Sequence, residues 1–458
     1  MGFEVMAVPE TLAPPAADAG TTSPVAPSAR PGARAWFVLG MLCFVYVLNF
    51  LDRQLLSILA KPIQDDLKVT DGQLGLISGL YFALFYCFIS IPVAWLADRT
   101  NRVRVLSIAC ALWSAATVAC GMASTYPQLV LARMTVGVGE AGGVPPSYAI
   151  ISDYFGPGRR GTALGLYNFG PPLGQALGVA FGAAIAAAYN WRSAFQLLGA
   201  VGVVTALAVY LLVREPRRGG LDVVGPVASV PAGPVTPSAK AGFWETVRMF
   251  FTRPALLLVA LATGATQFVT YALLNFTTLF LMREKGMALG QVAIYYALLI
   301  GIGVSAGMYV SGRLIDRFAA RARHSYALVP AVALCAAVPF FVGFIWAPSW
   351  PLALLFLAGP TFFNYFYLSP AVALVQEEVR PDQRVLSGAL LLLVMNLIGL
   401  GFGPTYLGAV SDLFHATHPH HSLQLAFYTL VPFYGLAVLL FLALARVLRK
   451  EGARTGDR

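Results

Sequence analysis

Charge is scarce in this chain. Only 11% of its 458 residues are Asp, Glu, Lys or Arg, against roughly 25% in soluble domains. So few charges cannot cover a water-facing surface, which excludes an ordinary soluble enzyme, a disordered protein and a coiled coil. Cysteine is scarce too. The five present (Cys43, Cys87, Cys110, Cys120, Cys335) sit inside apolar runs and none has Cys-x-x-Cys spacing. Neither a zinc site nor a disulfide framework is expected, and they read as small core hydrophobes. Histidine is missing from every apolar run: His324, His415, His418, His420 and His421 all fall outside them. There is no Gly-x-Ser-x-Gly elbow and no Walker sequence, which argues against a membrane hydrolase, an acyltransferase or a primary pump. His418 and His421 are three apart with only Asp412 as a nearby acid, so a solvated loop is expected there and no metal site.

Apolar residues are what the chain has. Hydrophobic residues make up 58% and mean hydropathy is +0.71. Runs of about 20 apolar residues predict an all-α polytopic membrane protein. Twelve spans are expected at 36–59, 74–97, 104–123, 127–151, 161–188, 192–213, 254–281, 289–312, 325–346, 350–375, 386–410 and 423–446. Residues 1–33, rich in Pro, Ala, Ser and Thr without an apolar leader core, are expected to be a disordered cytoplasmic tail. Residues 34–213 and 254–447 form two six-helix bundles, joined by a Pro-rich linker at 214–253 with a short surface helix near Phe243 to Phe251, and 448–458 is a second tail.

The net charge of +10 has two readings, nucleic acid or topology. With both termini cytoplasmic, 24 of the 31 Lys and Arg fall inside, five fall outside (Lys61, Lys68, Arg192, Arg283, Lys285), and Arg53 and Arg133 lie within spans. A ratio near five to one favours this orientation and removes the nucleic-acid reading. A repeat supports the two halves. Asp98-Arg99 follows the second span, with Arg102 after it. Asp316-Arg317 follows the eighth, with Arg321 and Arg323 after it. Duplicated six-span units imply substrate near the midplane between halves.

The Asp-Arg-x-x-Arg loops, with Gly312 at the pattern's first position and Ala94 departing from it, resemble the cytoplasmic signature of the major facilitator superfamily. A narrower set resembles its spinster-like branch. This set is Asn49-Phe50-Leu51-Asp52-Arg53, then Arg133 through Ala141 with Pro145 and Pro146, then Ile151-Ser152-Asp153-Tyr154-Phe155, then Asn190-Trp191-Arg192-Ser193-Ala194-Phe195. The resemblance implies the major facilitator fold and transport of lysosphingolipids or lysophospholipids, coupled to protons in at least some members. It also implies a multi-pass protein of the plasma membrane in a bacterial source.

Four ionisable residues lie deep in spans: Asp52, Arg53, Arg133 and Glu140. Each charge near a helix centre costs roughly 2.5–3.5 kcal/mol unless paired or wetted. Two readings stand, a structural ion-pair cluster locking spans one and four, or a proton and substrate site. Asp52 and Glu140 are the candidate proton carriers. Arg53 and Arg133 suit a phosphate head group, because guanidinium binds it bidentately. Asn49, Tyr46, Tyr271, Asn275, Asn364, Tyr365 and Tyr367 are candidate cavity walls, with ordinary helix packing as the alternative for each. Adjacent on a helix, Asp52 and Arg53 diverge by about 100°. Spans seven to twelve carry no charge at mid-depth, so a neutral wall is expected there.

A cytoplasmic gate is expected from Asp98, Arg99, Arg102 and Asp153, with Asp98 near the start of span eleven around Leu386. It is repeated as Asp316 and Arg317 with Glu377 or Glu378. Simple topology determination by basic loops is the alternative. Gly170-Pro171-Pro172-Leu173-Gly174 in span five resembles part of the superfamily's antiporter signature and marks a hinge. The expected function is a monomeric, proton-coupled transporter of a single-chain lipid or another amphipathic small molecule, with no cofactor beyond the proton. The alternative cargo is a small organic anion or drug.

Overall fold

The computed structural model describes residues 32–217, 242–319, 322–380 and 383–455. The first apolar helices are α1 (Ala33–Ile58), α2 (Asp71–Ala97, with a turn at Gly79) and α3 (Arg102–Met122). α4 comes in two pieces, Tyr126–Glu140 and Val144–Tyr154. Then follow α5 (Arg159–Ala188), α6 (Trp191–Leu212), α7 (Pro254–Arg283), α8 (Leu289–Ala319), α9 (Ser325–Trp346), α10 (Trp350–Glu378), α11 (Leu386–His415) and α12 (Ser422–Glu451). Short helices Ala60–Leu67 and Phe243–Thr252 lie between spans. The second stands where the linker helix is expected and buries Phe250. Residues 1–31 and 218–241, most of the expected tail and linker, lie outside the described residues.

Among the described residues, eleven helices are long and apolar enough to cross a membrane where twelve spans are expected. The difference is α4. Pro145 and Pro146 have no N–H to donate, and the backbone before them tightens: Gly142 N–H bonds Gly139 O at 3.1 Å and Gly143 N–H bonds Glu140 O at 3.0 Å. The break leaves Glu140 as the last residue of a helix inside the bundle, 1% exposed.

Glycine spacing fixes which helices touch. In α5, Gly170, Gly174, Gly178 and Gly182 recur every four residues and form one ridge. That ridge lies on α1: a Cβ on Gly174 would sit 2.8 Å from Phe50 Cβ, and one on Gly178 would sit 2.8 Å from Leu51 O. Small residues let helix backbones approach where lipid offers no competing hydrophobic drive. Gly199 and Gly202 of α6 meet Val118 and Ser114 of α3 in the same way. These contacts set the rotation of α1, and so the directions of Asp52 and Arg53.

The two halves meet through α1 and α2 against α7 and α11. Gly75 and Gly79 of α2 face Pro404, Gly401 and Thr405 of α11. Thr405 Oγ1 donates to Gly75 O at 3.2 Å and accepts from Leu80 N–H at 3.1 Å. Ser57 Oγ donates to Leu274 O and Asn275 O, both at 2.9 Å. Arg283 makes a two-pronged pair with Asp71, Nη1 to Oδ1 at 2.9 Å and Nη2 to Oδ2 at 2.8 Å. Asp412 accepts from the Asp71 and Gly72 N–H groups at 3.0 and 2.9 Å, capping α2. All these bonds gather at the end that the basic residues assign to the outside. The halves are therefore clamped at that end. The seams between α5 and α8 and between α2 and α11 are closed at mid-depth, where Gly301 meets Ala176 and Gly401 meets Ala83.

Candidate functional site

The four buried charges form two ion pairs between α1 and α4. Arg53 Nε donates to Glu140 Oε2 at 2.6 Å. Arg133 Nη1 lies 3.4 Å from Asp52 Oδ2. Asp52 is 4% exposed and Arg133 2%. Asp52 Oδ1, Glu140 Oε1 and Arg133 Nε have no hydrogen-bond partner among the described residues. Pairing removes most of the burial cost, and the orphaned atoms retain the rest.

The pairs face different ways, as neighbours on a helix must. The Arg53 guanidinium lies in a box of rings, 4.9 Å from the Phe50 centroid, 5.2 Å from Phe82 and 4.8 Å from Tyr86. Beyond it stands Tyr271 of α7, so this pair looks across to the second half. Asp52 turns instead into the first bundle, toward Thr117 and Cys120 of α3. Phe82 of α2 lies between the pairs, because Arg133 is also 5.4 Å from its centroid. One ring thus serves two cations. Sequence reading misses Phe82, since one Phe in an apolar run carries no signal of its own.

The expected cavity walls divide. Tyr46 stacks on Tyr167 of α5, centroids 4.4 Å apart, and belongs to the α1–α5 packing. Asn49 is buried with both amide atoms unpartnered among the described residues. Asn275 Nδ2 donates to Tyr271 O at 2.9 Å within its own helix. Asn364 is spent on Tyr434, its Nδ2 2.9 Å from the phenol, whose hydroxyl returns a 3.1 Å bond to Asn364 Oδ1. Tyr365 lies beside Gln175 of α5, and Tyr367 is buried beside Gln267 of α7. The helix of α10 gives way to turns over 364–367, after Pro360. A cavity of about 20 Å³ opens there, lined in part by Thr270, Tyr296, Thr361, Asn364 and Tyr365, with room for a single water.

The loop residues follow expectation in one pair, Arg102 with Asp153, and depart from it in others. Arg102 Nη1 donates to Asp153 at 2.6 Å, and its Nε donates to Glu215 at 2.7 Å. Both pairs lie within the first half, so they do not bridge the halves. Arg99 stacks on Trp95, 4.1 Å from the ring centroid, without meeting Asp153. Asp316 and Arg317 are exposed, and Arg323 is the residue that reaches Glu378, at 2.6 Å, while Tyr326 donates to Glu377. The repeat therefore holds in space with a later arginine, because α8 continues through Asp316 and Arg317 to Ala319. The side chain of Asp98 lies outside the described residues, and so does Arg321.

The outer clamp is the other feature the sequence reading misses. It counts Arg283 as a loop charge and passes over Asp71. Their signal is a charge at the very edge of a span, where a partner from the facing half can reach it. Glu284 caps α12 by accepting from Leu423 N–H at 2.8 Å, and burial pushes its carboxyl above the usual carboxylate range.

Comparison with known proteins gives a consistent result. The profile of the Major Facilitator Superfamily matches residues 42–404. An MFS-type efflux pump of Mycolicibacterium smegmatis is 35% identical over 83% of this chain and 85% of its own. Protein spinster homolog 1 of Homo sapiens is 27% identical over 85% of this chain and 75% of its own. A crystal structure of a bacterial homologue of the human lysosomal transporter Spinster, inward-facing and unoccupied, superposes with a TM-score of 0.82. That structure is 30% identical and covers 91% of this chain and 98% of its own.

Proposed function

The chain belongs to the major facilitator superfamily, in its spinster-like branch, and from that premise we propose that it moves a single-chain anionic or zwitterionic lipid, such as a lysophospholipid or sphingosine 1-phosphate, by proton-coupled alternating access. The family is one of membrane transporters, so alternating access needs no further argument. The cargo and the coupling ion are what the site has to support.

The observation that carries the reading is the division of labour among the four charges. The Arg53–Glu140 pair looks across at the neutral second half, where a guest bridging the halves would lie. A phosphate arriving there competes with Glu140 for Arg53, and guanidinium accepts either partner in the same geometry. Losing Arg53 leaves Glu140 buried without a counter-charge, which favours its taking up a proton. Substrate arrival and proton uptake are thereby linked through one arginine. Asp52 and Arg133 are the second such pair. Tyr86 and Tyr271, with Tyr365 further on, supply an aromatic wall for an apolar tail. With the outer clamp closed, a substrate would enter from the inner end. Arg102 with Asp153, and Arg323 with Glu378, then stiffen each half as it rocks.

The similarity to an efflux pump favours a second reading, in which the same machinery carries a small organic anion or drug. Uptake into proteoliposomes with and without a pH gradient separates the two. The probes are a fluorescent lysophospholipid, sphingosine 1-phosphate and glucuronate. Uptake of the lipids that rises with the gradient is expected. Gradient-driven movement of glucuronate alone selects the second reading, and movement indifferent to the gradient removes proton coupling.

A further inference from the structure

Behind α1, on the side away from the second half, lies a cavity of about 10 Å³ enclosed by α1, α3 and α6. Asp52, Ser114, Thr117, Leu198, Gly199 and Gly202 are among its walls. Two polar atoms of its wall residues have no hydrogen-bond partner among the described residues, Asp52 Oδ1 and Ser114 Oγ. Both belong to side chains that are almost wholly buried, Asp52 4% exposed and Ser114 2%. The third polar wall is Thr117, 1% exposed, whose hydroxyl donates to Trp113 O at 2.9 Å and also lies against the Asp52 carboxylate.

We infer that this pocket is a binding site for one ordered water molecule, held by Asp52, Ser114 and Thr117. The volume is at the lower limit of what holds one water, and a buried water needs two to four polar partners. Three are present. Two orphaned polar groups on the walls of one small space are costly if left so, and a single water can satisfy both. A metal cation does not fit, because Arg133 stands 3.4 Å from the other carboxylate oxygen and supplies the positive charge already. An apolar guest does not fit, because it would leave both orphans in place. The pocket exists because Gly199 and Gly202 carry no side chain. A Cβ on Gly202 would collide with Ser114 Oγ.

The inference deepens the proton-coupling reading and rests on it for its functional meaning. The charged groups around Asp52 are Arg53 on its own helix and Arg133 and Glu140 on α4. Cys120 faces it from α3, and α6 brings only Leu198, Gly199 and Gly202 to the pocket. Water is both donor and acceptor. It donates to Oδ1 when Asp52 is ionised and accepts from the carboxyl O–H when Asp52 is protonated. Asp52 therefore changes charge state without leaving a buried atom unsatisfied in either one, and does so outside the space that substrate would occupy.

The test is a structure of the full chain in nanodiscs at a resolution that shows ordered waters, for the wild type and for Ser114→Val. In the wild type, one peak is expected within hydrogen-bonding distance of both Asp52 Oδ1 and Ser114 Oγ. In Ser114→Val the added methyl groups fill the pocket and the peak is lost. If that variant does not fold, Ser114→Ala serves, and the peak is expected to weaken or move toward Asp52 and Thr117. A wild-type pocket with both side chains ordered and no peak overturns the inference. So does a peak that depends on added sodium or potassium. The measurement reads the pocket and not transport, so it fails separately from the proposal that protons drive transport.

Discussion

At the scale of single residues, four charges and one ring make the site. Arg53 and Arg133 share Phe82, with centroid distances of 5.2 and 5.4 Å. Cation–π contacts of this kind are worth about 0.5–2 kcal/mol each, more when desolvated. Phe82→Leu keeps an apolar side chain of similar reach and removes the π face. It is expected to lower thermal stability by a few degrees and to slow transport severalfold, with larger loss than Phe88→Leu on the exposed side of the same helix. Thermal melts in detergent with parallel uptake assays check this, and equal effects for the two variants would remove the special role of Phe82. The ion pairs also behave asymmetrically. Removing one partner of a buried pair costs about 3–5 kcal/mol, because the other is left charged and alone. Arg133→Leu alone should therefore express poorly, and Asp52→Asn added to it should recover part of the yield.

At the scale of elements, the ridge Gly170, Gly174, Gly178, Gly182 seats α5 on α1 and so aims Asp52 and Arg53. Gly178→Val pushes a branched side chain into Leu51 O and Gln54, and is expected to abolish transport and lower the yield of folded protein. Gly165→Ala, on the same helix with open space around it, is expected to be neutral. Size-exclusion profiles and uptake of the pair decide the point. Much of this was legible in advance. The Gly-x-x-x-Gly spacing, the apolar runs and the stranded charges in spans one and four are all one-dimensional signals, because a helix maps spacing onto faces. What escaped is what needs two chains of residues at once. Phe82 looks like any core phenylalanine until two arginines from other helices lie on it. Asn364 reads as a cavity polar group until Tyr434, 70 residues away, is seen to satisfy it. The α4 break was hidden because Gly-Gly-x-Pro-Pro is tolerated inside membrane helices elsewhere, and only its packing against Trp113 fixes the turn.

At the scale of the whole molecule, the two halves are clamped at one end by Asp71 with Arg283 and Ser411, and by Asp412 on the start of α2, while Gln64 of the first half steadies Asp71. Opening the outer end requires this network to part as a unit. Arg283→Gln removes the cation and leaves Asp71 buried against neutral partners. The outer-closed arrangement should then lose several kcal/mol relative to the open one, and every 1.4 kcal/mol is tenfold in population. A cysteine placed at Ser57 in a cysteine-free background reads this directly, since Ser57 lies on the inter-half seam. Its labelling by a membrane-impermeant maleimide from the outer side is expected to rise at least tenfold with Arg283→Gln. Unchanged labelling would show that the clamp does not hold the halves shut.

The central claim is that Asp52 and Glu140 make transport by this chain proton-driven. The most direct measurement is lumenal pH, read by a trapped fluorescent dye, in proteoliposomes given a lysophospholipid. Wild-type vesicles should show substrate-dependent proton flux. Glu140→Gln and Asp52→Asn, at reduced yield and read on the folded fraction, should each abolish the flux while keeping gradient-free exchange of the lipid. Wild-type flux that survives intact in both variants would contradict the claim.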